Sequence, residues 1–132
     1  MAQTDPIADF LTRIRNAQRA KHQTVSTNFT KINYELARIL KEEGYISSFE
    51  TKNDGTFPTL EVALKYNETM DPMIREIKRL SKPGCRRYAN VEKLHTLKNP
   101  FATLILSTSK GVMTDGQAFE HAVGGELLCR VS

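Results

Sequence analysis

The sequence lacks tryptophan, has two cysteines among 132 residues, and contains no apolar run long enough to cross a bilayer. Cys85 and Cys129 form no CxxC pair, and the three histidines, His22, His95 and His121, are scattered along the chain. Neither a disulfide framework nor the ligand spacing of a zinc site is present. We therefore expect free thiols, no metal, no cofactor, no membrane partner, and a reducing compartment such as the cytoplasm.

Catalytic motifs are also scarce. The sequence has no Walker A or dinucleotide-binding glycine pattern, and no pair of carboxylates is placed for acid–base catalysis. Ser107 and Lys110 match the S-x-x-K signature of serine β-lactamases, but the S-D-N and K-T-G motifs are missing. In those enzymes the serine begins a helix, whereas here the four residues follow a predicted strand and Gly111 comes directly after Lys110. A small hydrolase is a weak alternative, and we expect the chain not to be an enzyme.

The net positive charge is confined to the second half of the chain. Residues 1–68 carry nine Lys/Arg and nine Asp/Glu, whereas residues 69–132 carry ten and six, so the net charge of +4 belongs to the latter. Eight of the basic residues lie within residues 75–98, opposed only by Glu76 and Glu92. A charge run is usually a solvated surface. Here a Pro-Gly turn and a tyrosine interrupt it, which favours a surface that binds RNA.

The first half predicts an α-β-α-β-β lobe. Asp5 and Pro6 begin a helix over residues 6–20, and Thr30 caps a second helix that Gly44 ends. Strands are predicted at residues 24–28, 45–49 and 60–66, the last two joined by a turn at residues 53–55. On the first helix, Thr12, Arg15 and Asn16 lie opposite the apolar side, where a solvated surface and contact with phosphate are about equally supported.

The second half predicts a mostly β lobe, and the polar segment at residues 67–72 separates it from the first, giving lobes of 1–68 and 69–132. Residues 74–80 fit both helix and strand, and we favour strand. A turn at residues 82–84, a strand at 85–88, one helical turn at 91–97 and a buried strand at 101–106 follow. A short helix capped by Thr114 or Asp115 precedes a last strand at 127–131. The fold class is α+β with two small lobes.

Two loops are candidate binding elements. Residues 107–111, Ser-Thr-Ser-Lys-Gly, follow the buried strand and offer hydroxyls, an ammonium and backbone N–H groups that suit an RNA minor groove. Gly124 and Gly125, before Glu126, let a ligand or a neighbouring backbone approach closely. Each signal is weak alone, because serine-rich loops are common and two glycines also make a simple turn.

Several further segments have a distinctive sequence: DPIADFLTRIRN at residues 5–16, KEEGYI at 41–46, LKY at 64–66, SKPG at 81–84 with RRY at 86–88, STSKGVMTD at 107–115 and GGELLC at 124–129. In these segments, and over nearly its whole length, the chain resembles the family of bacterial small ribosomal subunit protein eight. The chain departs from the family pattern at residues 99–101, 116–119, 130 and 132. The change at residues 116–119 removes a basic residue that family members usually have near the RNA.

The resemblance implies a structural protein that binds the central domain of small-subunit ribosomal RNA and supports subunit assembly. It also implies contacts with small-subunit proteins five and twelve, a location in a cytoplasmic or organellar ribosome and, in some members, repression of their own operon by binding its messenger RNA. A free-standing RNA-binding regulator is the main alternative. The residues expected to contact RNA are Ser107, Thr108, Ser109, Lys110, Gly111, Gly124, Gly125, Glu126, Pro83, Gly84, Arg86, Tyr88, Thr12, Arg15, Asn16 and Lys31.

Overall fold

The computed structural model describes residues 5–53, 55, 57–97 and 99–132, which form an α+β protein as expected. The chain divides into two compact units, Met1–Arg75 and Glu76–Ser132. The sequence placed the boundary slightly earlier, between residues 68 and 69. Two residues used in the predictions lie outside the described residues. They are Asp54, from the predicted turn at 53–55, and Lys98, one of the eight basic residues within 75–98.

The first unit contains α1 (Pro6–Arg19), β1 (Thr24–Asn28), α2 (Lys31–Glu42), β2 (Ile46–Lys52) and β3 (Thr59–Leu64). The strands form an antiparallel sheet in the order β1-β3-β2. The α-β-α-β-β order predicted from the sequence is confirmed. Alternate residues of β3 are buried, and the core is completed by apolar residues at helical spacing on the two helices, namely Phe10, Leu11, Ile14, Leu36, Ile39 and Leu40.

Local signals explain why both helices begin and end where they do. The side chain of Asp5 accepts from Ala8 N (3.3 Å), and Thr30 Oγ1 accepts from Asn33 N (3.1 Å). Gly44 follows α2 with φ +84°, a conformation that favours glycine. The predicted caps and the predicted stop are therefore confirmed.

The second unit contains β4 (Ile77–Arg79), β5 (Tyr88–Ala89), α3 (Val91–Leu97), β6 (Thr103–Thr108), β7 (Gly111–Thr114), α4 (Asp115–Glu120) and β8 (Gly125–Val131). Its sheet has the order β4-β8-β6-β7, and β5 also pairs with β8. All these pairs are antiparallel. Seven residues from the strands and from α3 and α4 form a buried cluster: Ala89, Leu94, Leu104, Leu106, Met113, Ala118 and Leu127.

The strand predicted at residues 101–106 is displaced. β6 begins at Thr103 and continues to Thr108, and Phe101, expected to be buried, is 85% exposed. Asn99 explains the shift, because its Oδ1 accepts from Phe101 N (2.9 Å) and its carbonyl accepts from Ala102 N (3.2 Å). These bonds hold residues 99–102 in a turn, so β6 begins only at Thr103.

Three further elements differ from the sequence-based prediction. The strand expected at residues 85–88 is the two-residue β5, because residues 82–85 form a tight turn. β7 was missed, because residues 107–111 were assigned to a loop. The single helical turn expected at residues 91–97 is the seven-residue α3.

The two thiols are free, as predicted. Cys85 is exposed, whereas Cys129 lies in β8 and is fully buried. Burial raises the pKa of the Cys129 thiol to about 12, against a smaller opposite effect of the Arg79 charge. Cys129 therefore behaves as a small apolar core residue rather than a reactive thiol.

Candidate nucleic-acid interface

One cross-strand row brings together three predicted residues that are distant in sequence. Glu126 of β8 lies opposite Ser107 of β6 on one side and opposite Tyr88 of β5 on the other. Residues directly opposite each other on antiparallel strands point to the same side of the sheet. Ser107, Glu126 and Tyr88 therefore share one side, and the Tyr88 ring is 62% exposed.

Glu126 is fixed by two hydrogen bonds from the neighbouring segment. Ser81 Oγ donates to Glu126 Oε2 (2.6 Å), and Arg86 donates to the same oxygen (2.9 Å). Burial favours the neutral carboxyl, but the hydrogen bonds from Ser81 and Arg86 and the charges of Arg86 and Arg79 together lower the pKa of Glu126 below its ordinary value. Glu126 is thus an ionised anchor that orients Arg86.

Ser81 is a site residue that the sequence reasoning missed. It is fully buried, and its Oγ also accepts from Arg87 N (3.1 Å). Its backbone N donates to Leu127 O (2.9 Å), so Ser81 connects the segment that precedes β5 to β8. The signal in the sequence was its place as the first residue of the matching Ser-Lys-Pro-Gly segment.

Pro83 and Gly84 form the tip of a tight turn beside this row. Lys82 and Cys85 exchange backbone hydrogen bonds of 3.1 and 2.9 Å, which leaves Pro83 and Gly84 exposed between them. A Cβ added to Gly84 would meet no atom within 4 Å. The turn therefore presents an open backbone to the solvent.

The Ser-Thr-Ser-Lys-Gly segment is a hairpin rather than the loop that the sequence suggested. Ser107 and Thr108 end β6, Ser109 and Lys110 form a two-residue connection, and Gly111 begins β7 with φ +111°. Thr108 Oγ1 donates to Gly111 O (2.8 Å) and accepts from Lys110 N (3.1 Å). The hydroxyls of Ser107 and Ser109 have no hydrogen-bond partner within the described chain.

Gly124 and Gly125 are explained by the protein's own backbone. A Cβ on Gly125 would lie 2.9 Å from the carbonyl carbon of Ser107 and 3.1 Å from Thr108 Cα, and one on Gly124 would lie 2.7 Å from Asn90 Cα. A residue larger than glycine at position 125 would therefore disturb the fold. Strand packing already requires glycine at both positions.

The remaining predicted residues lie in the first unit. Thr12 and Asn16 are exposed on α1 and Arg15 is half-buried beside them, which agrees with their predicted position opposite the apolar side. Gln18, on the apolar side, is buried and donates through Nε2 to Ile74 O (3.2 Å). Lys31 is exposed at the first position of α2.

Five cations of the second unit fall into two groups. Arg79 donates to Leu128 O (2.7 Å), and Arg130 pairs with Glu76 (3.0 Å), so both contribute to the fold. Lys82, Arg87 and Lys110 are exposed, and none has a side-chain partner among the described residues. The second group is free to meet an anionic ligand.

The described residues provide neither a metal site nor a membrane-spanning helix. No group of three or more His, Cys, Asp or Glu side chains in that part of the chain could hold a metal ion. Nor does any of its helices have the length and apolar character needed to span a membrane.

Comparison with known proteins agrees with the resemblance seen in the sequence. A family model described as ribosomal protein S8 matches residues 5–132. Small ribosomal subunit protein uS8 of Alkalilimnicola ehrlichii is 50% identical over 131 residues, and that of Geotalea uraniireducens is 49% identical over the same length, each match covering 99% of both chains. These relatives are ribosomal proteins, a family not known to be enzymatic. The chain therefore belongs to the ribosomal protein S8 family.

Proposed function

We propose that this structural constituent of the small ribosomal subunit binds the central domain of small-subunit ribosomal RNA directly, and that it does so through the second unit. The observation that carries the proposal is the row of Ser107, Glu126 and Tyr88, with the Ser109–Lys110 hairpin connection on one side and the Pro83–Gly84 turn on the other. We name the residues of this row, the connection and the turn the RNA surface.

The chemistry of the RNA surface suits a folded RNA. The hydroxyls of Ser107 and Ser109 can donate to and accept from 2′-hydroxyl groups and base edges, which are displayed in the minor groove of an RNA helix. The exposed Tyr88 ring can stack on an unpaired base. Lys82, Arg87 and Lys110 supply the charge that phosphates attract.

The first unit would contribute a second contact. Thr12, Arg15 and Asn16 present two polar side chains and a guanidinium on one side of α1, and Lys31 adds an ammonium at the start of α2. Because residues 1–68 have no net charge, we propose that this contact positions RNA more than it strengthens binding.

The finer consequences of family membership are proposals as well. They comprise support of subunit assembly, contacts with small-subunit proteins five and twelve, and repression of the protein's own operon through a messenger RNA that imitates the ribosomal site. Such a repressor would use the same RNA surface. Competition between ribosomal RNA and operon messenger RNA for the purified protein tests this proposal, because independent binding of the two RNAs would contradict it.

The assignment is tested by comparing serine and lysine variants. Ser107→Ala and Ser109→Ala should each reduce the preference for cognate RNA over an unrelated duplex by about fivefold, since a lost hydrogen bond costs ~1 kcal/mol. Lys82→Ala should weaken binding to both RNAs about equally, as a phosphate contact does. Lys82 is a better probe than Arg79, because Arg79 donates to Leu128 O and so contributes to the fold.

The measurement is a pair of binding titrations per variant at one salt concentration. Ser48→Ala is the matched control, because Ser48 is an exposed strand serine in the first unit. Folding is checked by circular dichroism. Full discrimination in both serine variants would reject the proposed role of the hairpin.

A further inference from the structure

The second unit also contains an acidic and aromatic cavity that is not part of the RNA surface. The cavity has a volume of about 320 Å³ and lies between α3 and α4. Among its lining residues are Leu94, His95, Asn99, Asp115, Phe119 and Glu120. We name it the α3–α4 cavity.

A stacked pair of rings forms one wall of the cavity. The centroids of His95 and Phe119 are 5.6 Å apart and their planes differ by 25°. Phe119 nevertheless remains 47% exposed, so part of its ring is available to a ligand. Leu97 and Phe101, close in sequence to the lining residues, are exposed as well, at 37% and 85%. An exposed aromatic ring at the edge of a cavity is typical of an interaction surface.

The charge of the cavity is opposite to that of its surroundings. Residues 76–132 contain nine Lys/Arg and five Asp/Glu, a balance of +4, yet Asp115 and Glu120 line the cavity and no lysine or arginine does so in the described chain. Neither carboxylate has an ion-pair or hydrogen-bond partner among the described side chains. Two unpaired carboxylates repel phosphate, so this cavity is suited to a cation rather than to RNA.

We propose that the α3–α4 cavity binds an arginine side chain from a basic segment of a partner protein. A guanidinium is planar and weakly hydrated, stacks on aromatic rings, and forms paired hydrogen bonds with carboxylates. Phe119 would supply the stacking face, and Asp115 and Glu120 would accept the hydrogen bonds. The proposal is independent of RNA binding.

The experiment follows the full-length protein by NMR while a blocked peptide with one arginine between leucine and glycine is added. We expect saturable shifts of the Phe119 ring and of the Asp115 and Gly116 amides. The same peptide with citrulline, which has the shape of arginine but no charge, should bind at least fivefold more weakly. A short single-stranded RNA should leave these signals unchanged.

Variants separate the two parts of the cavity. Asp115→Asn combined with Glu120→Gln should weaken binding of the arginine peptide about fivefold. Phe119→Ala should weaken it by a similar factor. Glu68→Gln, an exposed carboxylate in the first unit, is the matched control and should bind as the parent does. Amide spectra of each variant establish that it is folded. Equal binding of the arginine and citrulline peptides, shifts caused by RNA instead of peptide, or unchanged binding by the double variant would each overturn the proposal.

Discussion

At the scale of single residues, Glu126 links the stability of the second unit to pH. Its folded-state pKa is below the ordinary value of 4.5, so the folded protein binds fewer protons than the unfolded chain in this range. The stabilisation is therefore present above pH 4.5 and is lost as the pH falls through the lower, folded-state pKa. Ser81 and Arg86, the donors to the carboxylate, are the physical source of this effect.

We expect Glu126→Gln to reduce the free energy of unfolding at pH 7 by ~1–2 kcal/mol, since a charge-assisted hydrogen bond is weakened and Arg86 is half exposed to solvent. The difference from the parent protein should shrink as the pH falls from 4.5 through the lower, folded-state pKa of Glu126. Urea unfolding at several pH values measures both effects, and Glu68→Gln serves as the control. A difference that stays constant down to acid pH would contradict the assignment of the pKa shift.

Two glycines that the sequence predicted to contact RNA should respond in opposite ways to alanine. Gly125→Ala places a Cβ against the backbone of Ser107 and should destabilise the protein by ~2 kcal/mol or more. Gly84→Ala meets open space and should change the free energy of unfolding by less than ~0.5 kcal/mol. If RNA approaches the Pro83–Gly84 turn, Gly84→Ala weakens RNA binding without loss of stability. Thermal unfolding combined with RNA titration distinguishes the two cases.

At the scale of elements, one hydroxyl makes the side-chain hydrogen bonds that close the β6–β7 hairpin. Thr108 Oγ1 makes two hydrogen bonds inside the connection, whereas the neighbouring serine hydroxyls have none among the described residues. Thr108→Val keeps the shape of the side chain and removes both bonds, so we expect a loss of ~1–2 kcal/mol and faster amide exchange at residues 109–111. Thr24→Val, an exposed strand threonine, is the control. Unchanged exchange in Thr108→Val would show that the turn type alone holds the hairpin.

The sequence predicted elements with local signals better than elements with distant ones. Both helices of the first unit follow from their caps and from apolar residues three and four apart. The residues that give these signals are close neighbours in the chain. β7 and the shift of β6 were missed because each depends on which strand lies alongside. Phe101 was assigned to a buried strand for its apolar character, but the turn formed by Asn99 exposes it.

At the scale of the whole molecule, the charge distribution predicts how RNA binding responds to salt. Binding should weaken steeply as salt rises, because phosphates neutralised by lysine and arginine release counterions. Lys82→Ala and Arg87→Ala should each reduce the slope of log affinity against log salt by ~0.7–0.9. Lys65→Ala, an exposed lysine of the first unit that is outside the predicted contacts, should leave the slope unchanged. If the affinity for RNA is insensitive to salt, the basic residues within 75–98 form a solvated surface that does not contact phosphates.

The sequence by itself determined the fold class, the helices of the first unit, the family and the motifs from which RNA contacts are predicted. Only the tertiary structure decided that Tyr88, Glu126 and Ser107 lie in one row, that Ser81 and Arg86 hold Glu126, and that Gly125 is required by the adjacent strand. The physical reason is the range of each interaction. Caps and helical spacing act within a few residues, whereas strand register joins residues 19 and 38 positions apart and leaves no pattern in either segment alone.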